Sequence, residues 1–199
     1  MKRIIESGKE VIQKEIKALE TFERHIDESF SKAVSAILKC KGKIIITGIG
    51  KSGHIGKKIS STLSSLGTPS TFFHSTEMLH GDSGCLEKSD ILIAISNSGN
   101  TQEVVETARK AKEIGLKVIS INSNVESELS KLSDITLCTG NIEEADHIGL
   151  APTSSTTVVL ALGDALAVTV SKEKEFSAKS FAFYHPGGAL YKKAVRIKS

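Results

Sequence analysis

Hydrophobic residues recur every three or four positions along the first forty residues of the chain. This spacing places them on one face of a helix and predicts one or two amphipathic helices over residues 1–40. The first series comprises Ile4, Ile5, Val11, Ile12, Ile16 and Leu19, and the second comprises Phe22, Ile26, Phe30, Val34, Ile37 and Leu38. We therefore expect a helical amino-terminal segment.

After residue 40 the pattern changes to short apolar runs separated by helical stretches. The runs predict buried strands at residues 43–47, 70–73, 91–96, 117–121 and 134–138. Two of the intervening stretches have helical spacing and end at Gly67 and Gly115. Strands that alternate with helices of this length predict an α/β fold, a three-layer αβα sandwich around a five-stranded parallel sheet.

Residues 155–171 are apolar on nearly every side of the predicted helix. Such a helix lies either in the centre of a core or in a subunit interface. Gly163 and Asp164 interrupt its apolar run, and we expect the run to be too short to span a bilayer. No repeat or linker divides the sequence. We predict a single domain, 1–199, made of amino-terminal helices (1–40), an αβα core (41–175) and a carboxyl-terminal segment (176–199).

The amino-acid composition gives the chain only a small net charge. The 26 Lys and Arg residues against 23 Asp and Glu give a formal charge of +3. This balance argues against a nucleic-acid partner, because nucleic-acid-binding proteins concentrate basic residues on one face. A basic tail is the exception, and we interpret it as a solvated end; it contains Lys192, Lys193, Arg196 and Lys198. The dispersed cysteines and the absence of an apolar signal region predict a cytoplasmic protein without a membrane partner.

The stretch TGIGKSGHIGKK (residues 47–58) follows the first strand and suggests two nucleotide-binding motifs. A P-loop is excluded by spacing, because Ile45 stands where its first glycine is required. A dinucleotide site is disfavoured, because the tip of the second strand offers no carboxylate before Glu77. An anion site is the third interpretation, since backbone N–H groups gather where parallel strands end and helices begin. Lys51 and Ser52 would add a charge and a hydroxyl, although a glycine turn with an exposed lysine is the alternative.

Two further strand-to-helix corners are rich in hydroxyls. SNSGNTQE (residues 96–103) follows the third strand, and APTSSTT (residues 151–157) opens the last long helix. Ser98 or Thr101 could serve only as a helix N-cap, but a cap explains one hydroxyl and not three. Hydroxyl and N–H groups without competing charges suit a phosphate monoester, so a sugar phosphate is favoured over a nucleotide.

These motifs together resemble a known family. SNSGNTQE is similar to the phosphate-binding signature of the sugar isomerase (SIS) domain, and the ordered set GIGKSGHIGKK, HGDSG, GLAPTSSTT and HPGG is similar to the D-arabinose 5-phosphate isomerases. The resemblance implies interconversion of D-ribulose 5-phosphate and D-arabinose 5-phosphate without a cofactor, as a step toward Kdo for lipopolysaccharide or capsule. It also implies a homotetramer with active sites completed across subunits. Longer members continue into two CBS domains, whereas this sequence ends at Ser199, as a natural single-domain form or an excised domain would.

Isomerisation through an enediol needs a base, a group that moves hydroxyl protons, and a site that anchors the phosphate group of the sugar. Glu103 would be the base, in the first helical turn beyond residues 96–101, which we name the serine loop, unless it is an ordinary helix-start residue. By resemblance, His185 in YHPGG would open the sugar ring or shuttle protons, either in its own subunit or in a neighbouring one. The alternative is an exposed turn histidine that has no function. His80, oriented by Asp82, is a second acid–base candidate, against an Asx-type turn in HGD.

The remaining candidates are two further catalytic residues, Lys51 and Glu144, and the residues that would bind the substrate. Lys51 would stabilise negative charge on sugar oxygens. His74 could contact substrate or hold an adventitious, non-essential divalent metal, since no paired histidines predict a required one. The resemblance favours Glu144 as a further site residue, with a solvated loop carboxylate as the alternative. The phosphate would be anchored by Ser52, Ser96, Ser98, Thr101, Thr153 and Ser154.

Three other functions stay open on the residues alone. One is a SIS isomerase of a hexose or heptose phosphate, and another is a regulator that binds a sugar phosphate without chemistry. A regulator would lack Glu103, His80 and His185, all of which are present. The third is a NAD-dependent enzyme, for which cofactor binding would have to be found.

Overall fold

The computed structural model describes residues 1–187 and 189–197, so Gly188 of the HPGG motif and Lys198 of the basic tail lie outside the described residues. The strands are β1 (Ile44–Gly48), β2 (Ser70–His74), β3 (Ile91–Ile95), β4 (Lys117–Asn122) and β5 (Ile135–Cys138). The helices are α1 (Lys2–Glu23), α2 (Glu28–Lys39), α3 (Gly50–Ser65), α4 (Ser75–Leu79), α5 (Gln102–Ile114), α6 (Glu128–Leu132), α7 (Ser154–Glu173), α8 (Ala178–Tyr184) and α9 (Ala189–Ala194). A short 3-10 helix, Asp82–Cys85, joins α4 to β3.

The five strands form one parallel sheet in the order β2-β1-β3-β4-β5. Each strand lies within one residue of its predicted position at either end. Because β1 lies between β2 and β3, the chain leaves β1 toward one side of the sheet and leaves β3 toward the other. Ligands of open α/β sheets bind in the crevice beyond the carboxyl ends of such a pair of strands.

Alternate strand residues face opposite sides of the sheet and divide the core in two. Ile44 and Ile46 of β1 pack with α1, α2, α3 and α7, whereas Ile45 packs with α4, α5 and α6. All three isoleucines are fully buried. The predicted three-layer αβα sandwich with a five-stranded parallel sheet is therefore confirmed.

Helices α3 and α7 lie side by side and run in the same direction. Gly163 of α7 faces Ile59 of α3 so closely that an added Cβ would lie 2.3 Å from its side chain. At the adjacent positions of the two helices, Lys58 Nζ lies 2.6 Å from Asp164 Oδ2. The absence of a side chain at Gly163 thus permits the close approach of the two helices, and both begin at the carboxyl edge of the sheet.

The expectation that the apolar run of α7 is too short to span a bilayer is wrong for the helix as folded. Its 20 residues are long and apolar enough by length and composition. However, 56% of its most apolar window is buried inside the protein. Val158, Leu166 and Val170 are among its fully buried residues, so α7 is a core helix of this sandwich, one of the two positions predicted for it.

The amino-terminal segment forms two helices, as the hydrophobic spacing allowed. In α1 only Phe22 is buried, and the apolar face of its first half is exposed. The carboxyl-terminal helices also expose large apolar side chains. The exposed set in these two regions includes Ile4, Ile5, Ile12, Phe183, Tyr184, Leu190, Tyr191, Val195 and Ile197.

Candidate functional site

The crevice between β1 and β3 is bordered by the amino termini of α3 and α5. Gly50 begins α3 with φ of +57°, in the left-handed region that glycine adopts without strain. Ile49 occupies the N-cap position of α3 and provides no side-chain cap, so the first-turn N–H groups stay open to a ligand. Lys51 is exposed and Ser52 is half-buried in this turn.

The loop after β3 is shaped by its own hydroxyls. Ser96 Oγ lies 2.9 Å from Thr101 Oγ1 and accepts the N–H of Gly99 at 3.2 Å. Ser96 is buried, whereas Ser98 is exposed and its Oγ accepts the N–H of Asn100 at 3.2 Å. Thr101 occupies the N-cap position of α5, but its side chain makes no cap bond. The hydroxyl of Ser96 therefore shapes the loop, while that of Ser98 is accessible to a ligand.

Gly99 is required in this loop for two reasons. Its φ is +67°, and an added Cβ would lie 2.2 Å from Ser127 Oγ. The start of α6 also holds the loop from outside, because Leu129 N donates to Gly99 O at 3.0 Å and Glu128 N donates to Asn100 Oδ1 at 3.1 Å. The serine loop is thus fixed before any ligand arrives.

The first turn of α7 reaches the same edge of the sheet but is already occupied by a carboxylate. Glu144 Oε2 accepts from Thr153 N at 2.7 Å, from Thr153 Oγ1 at 3.0 Å and from Ser155 N at 3.2 Å. Glu144 Oε1 accepts from Ser155 Oγ. Burial alone would raise the pKa of Glu144, but the hydrogen bonds from Ser155 and Thr153 outweigh it and hold the pKa below its ordinary value.

Three hydroxyls stand in sequence at this turn, and they have different surroundings. Thr153 and Ser155 both donate to Glu144, and Thr153 Oγ1 also accepts the N–H of Ala145 at 2.8 Å. Ser154 is fully buried, and its Oγ has no hydrogen-bond partner within the described residues. A phosphate at this turn would have to compete with Glu144 for Thr153, so α3 and α5 offer the more open amino termini.

Glu103 lies in the first turn of α5, as predicted, and its side chain is exposed. A buried hydroxyl connects this turn to the end of β2. Thr107 Oγ1 lies 2.8 Å from Glu103 O and 3.2 Å from Ser75 O. Ser75 Oγ in turn lies 2.8 Å from Thr47 Oγ1, which donates to Phe73 O at 2.9 Å.

The set of Thr47, Ser75 and Thr107, which we name the buried hydroxyl cluster, was missed by the sequence analysis. All three residues are at most 1% exposed. The only sequence signal is a threonine that ends the apolar run of β1, since the partners of that threonine lie far away in the chain. The cluster fixes the turn that carries Glu103 against the corner that follows His74.

His74 and His80 border the β2 side of the crevice. His74 is half-buried at the N-cap of α4, where Nδ1 lies 3.4 Å from Thr76 N. His80 follows α4 and is exposed, as is Asp82 after the turn at Gly81, whose φ is +126°. In the part of the chain that the structure describes, no three His, Cys, Asp or Glu side chains are placed to hold a metal ion. The assignment of His74 to a metal stays a prediction.

His185 lies at the opposite edge of the sheet from the serine loop of its own chain. Helix α7 descends to the amino edge, where Lys174 Nζ lies 2.9 Å from Thr68 Oγ1. There Phe176 packs directly on Gly67, and Tyr184 stacks on Phe176 with ring centroids 6.2 Å apart. The residue that follows Tyr184 is therefore held near the amino edge. The fold therefore places the candidate residues of α3, the serine loop and α5 at the carboxyl edge of the sheet, whereas His185 of the same chain lies away from them.

The His185 ring has a fixed orientation. Its Nδ1 lies 2.8 Å from Phe181 O, and the ring stacks on that of Phe181 with centroids 3.8 Å apart. Because a carbonyl only accepts, Nδ1 carries the proton in this bond and Nε2 is the free acceptor of the neutral ring. In this tautomer the neutral ring can accept a proton only at Nε2.

A cavity of about 390 Å³ lies elsewhere, between α1 and the connection from β5 to α7. Lys14 and Lys17 of α1 and His25, which follows this helix, line one wall, and residues 139–143 line the other. The serine loop and Lys51 are not part of its lining. The candidate site is instead the crevice at the switch point, which is bordered by residues of the GIGKSGHIGKK and SNSGNTQE motifs.

Comparison with known proteins gives a consistent result. The SIS domain model matches residues 37–169. Arabinose 5-phosphate isomerase KdsD from Yersinia pestis is 46% identical over 190 residues, which is 96% of this chain and 58% of that protein. KdsD from Francisella tularensis is 47% identical over 194 residues, 96% of this chain and 59% of that protein. The chain thus spans about three-fifths of the length of these curated relatives.

One solved structure is similar over nearly its whole length. It is E. coli CFT073 c3406 in complex with arabinose 5-phosphate, with a TM-score of 0.90, 39% identity, and coverage of 93% of this chain and 98% of that one. A phosphosugar isomerase described as involved in capsule formation, from Bacteroides fragilis, has a TM-score of 0.89 and 40% identity, with the same coverage.

Proposed function

The chain belongs to the SIS domain family, and from this premise we propose that it interconverts D-arabinose 5-phosphate and D-ribulose 5-phosphate. The observation that carries the proposal is the similarity to c3406, which was solved with arabinose 5-phosphate and is matched over 98% of its chain. The identity of 46–47% to KdsD proteins supports the same reaction. The physical support is a crevice with open helix amino termini and an accessible hydroxyl at Ser98.

The phosphate would bind between the amino termini of α3 and α5. Ser52, Ser98 and Thr101 supply hydroxyls there, and the dipoles of both helices favour an anion. Ser96 would keep the loop in shape through Thr101 and Gly99. The hydroxyls of Thr153 and Ser154 would border the site from α7. Lys51 would stabilise the negative charge that develops on the sugar oxygens.

The reaction moves one proton from C2 to C1 and one from O2 to O1, and it needs no electron acceptor. In the aldose, the Glu103 carboxylate would take the proton from C2, and the electrons of that bond would form the C1–C2 double bond of the enediol. O1 would gain a proton and O2 would lose one, through His80 and through Nε2 of His185. Glu103 would then return its proton to C1, which gives the ketose. All protons and electrons of the reaction are thus accounted for without a cofactor.

The site would be shared between copies of the chain. His185 lies at the opposite edge of its own sheet, so the histidine at a given serine loop would come from another subunit. The exposed apolar faces of α1 and of the carboxyl-terminal helices would pack in such an assembly, because isolated proteins rarely expose large apolar patches. We propose a homotetramer in the cytoplasm that supplies D-arabinose 5-phosphate to Kdo synthesis for lipopolysaccharide or capsule, without nucleic-acid or membrane partners.

Incubation of the purified chain with D-arabinose 5-phosphate tests the proposal. The expected result is D-ribulose 5-phosphate without added cofactor and in the presence of EDTA, since His74 would hold at most an adventitious metal. A panel of hexose and heptose phosphates separates this activity from that of another SIS isomerase. Binding without turnover of any member would favour a regulator, and turnover that depends on NAD would contradict the proposal.

A further inference from the structure

We propose that Glu144 is a positioning residue of the isomerase site, which holds the first turn of α7 through Thr153 and Ser155 and exchanges no proton with the sugar. The identity of the sugar in this inference rests on the proposed function. The role assigned to Glu144 rests on the hydrogen bonds of its carboxylate.

Four donors surround the carboxylate of Glu144, two of them N–H groups and two hydroxyls. Three of these donors bind Oε2 and one binds Oε1, so both oxygens of the carboxylate are engaged, and the number of donors matches the roughly four acceptor positions of an ionised carboxylate. A general base must instead present a free lone pair to the proton it removes. The lowered pKa of Glu144 further weakens its affinity for a proton near neutral pH. The arrangement suits a structural anion and does not suit a base.

The segment that carries Glu144, between β5 and α7, is itself held in place by hydrogen bonds. Thr153 Oγ1 accepts the N–H of Ala145, the residue after Glu144, at 2.8 Å. Asp146 accepts the N–H groups of four residues in the same connection, at 2.7 Å for Ile148 and Leu150. The segment between β5 and α7 is thus ordered around two carboxylates, and Glu144 has a defined position.

The turn held by Glu144 borders the proposed phosphate site. Helix α7 packs in parallel against α3 through Gly163 and Ile59, so the first turns of the two helices lie at the same edge. The first turn of α3 carries Lys51 and Ser52. The negative charge of Glu144 also interacts favourably with the positive end of the α7 dipole. Because this helix amino terminus is already occupied by a carboxylate, an incoming phosphate is directed to the amino termini of α3 and α5.

Three variants test the inference: Glu144→Ala, Glu144→Gln and the control Glu143→Ala. Glutamine keeps an oxygen that can accept the two N–H groups, and Ser155 Oγ can accept from its amide. Alanine leaves all four donors without a partner. Glu143 is the adjacent exposed carboxylate and makes none of these bonds. We would measure kcat, KM and the pH dependence of kcat at a temperature well below unfolding, and the affinity for D-arabinose 5-phosphate by calorimetry.

We expect Glu144→Ala to raise KM and weaken sugar-phosphate affinity by about tenfold, a change of about 1.4 kcal/mol. Glu144→Gln should restore most of both values, keep kcat within about tenfold of the parent, and leave the limbs of the pH profile in place. Glu143→Ala should match the parent. Equal losses of kcat of about 100-fold or more in both Glu144 variants, with one limb of the profile lost, would show proton transfer and overturn the inference. Parental KM and affinity in folded Glu144→Ala would also overturn it, because Glu144 would then only stabilise the fold.

A double-mutant cycle with Ser155→Ala separates this inference from the proposed function. If Glu144 acts through Ser155, the effects of Glu144→Ala and Ser155→Ala on affinity are not additive; additive effects would contradict the inference. The affinity measurement needs no turnover, so a parent protein that binds D-arabinose 5-phosphate without converting it would sink the proposed function alone. A parent protein that neither binds nor converts D-arabinose 5-phosphate would contradict both the proposed function and the inference about Glu144.

Discussion

Ser154 and Ser155 are neighbours in the chain with opposite surroundings. Ser155 donates to Glu144, whereas Ser154 is equally buried and its Oγ has no partner within the described residues. Ser155→Ala should lower the free energy of unfolding by about 1.5–3 kcal/mol, the range for a hydrogen bond to a charged group. Ser154→Ala removes an unsatisfied buried oxygen and should be neutral or stabilising. Urea unfolding of both variants checks this, and a loss in Ser154→Ala as large as that in Ser155→Ala would mean that Ser154 has a partner.

Glu103 is predicted to be the base because it is an accessible carboxylate in the first helical turn after the serine loop. Glu103→Gln keeps the size of the side chain and removes its basicity. We expect kcat to fall by about 100-fold or more, with KM little changed, because the loss is confined to the proton-transfer step. Steady-state kinetics on D-arabinose 5-phosphate measures both values. Near-parental turnover would assign the base elsewhere.

Short buried strands and hydroxyl-rich corners could be read from the sequence because each is a local pattern. The run of isoleucines at Ile44, Ile45 and Ile46 predicts a strand covered on both faces, and the structure confirms it. The buried hydroxyl cluster could not be predicted, because Thr47, Ser75 and Thr107 meet only after the sheet and helices have packed. The same holds for Glu144, whose role depends on a turn nine residues away.

At the scale of elements, the buried hydroxyl cluster joins α5 to the corner between β2 and α4. Thr107→Val keeps the shape of the side chain and removes its donor to Glu103 O and Ser75 O. We expect a loss of about 1 kcal/mol in the free energy of unfolding, typical of one buried hydrogen bond. We also expect kcat to fall more than KM changes, because the turn that carries Glu103 is released. Ser133→Ala, which removes a similar hydroxyl-to-carbonyl bond from the C-cap of α6 to Leu129 O, is the matched control for stability alone.

At the scale of the whole molecule, the fold separates two groups that the proposed reaction needs together. The sheet brings Lys51, the serine loop and Glu103 to its carboxyl edge because parallel strands all end there. Helix α7 then carries the chain about 30 Å, the length of 20 helical residues, to the other edge before His185 is reached. The sequence contains both groups, but only the course of α7 shows that one chain does not unite them.

Mixing two inactive variants tests whether copies of the chain complete one another. Glu103→Gln keeps His185 intact, and His185→Ala keeps Glu103 intact, so a mixed assembly contains some sites with both native groups. If each site takes Glu103 from one chain and His185 from another, random mixing in equal amounts should restore up to about a quarter of the parental activity. The variants would be co-expressed with different tags, purified through both, and assayed with D-arabinose 5-phosphate. Activity no higher than that of either variant alone, in assemblies shown to contain both chains, would mean that sites are not shared in this way or that His185 takes no part in the reaction.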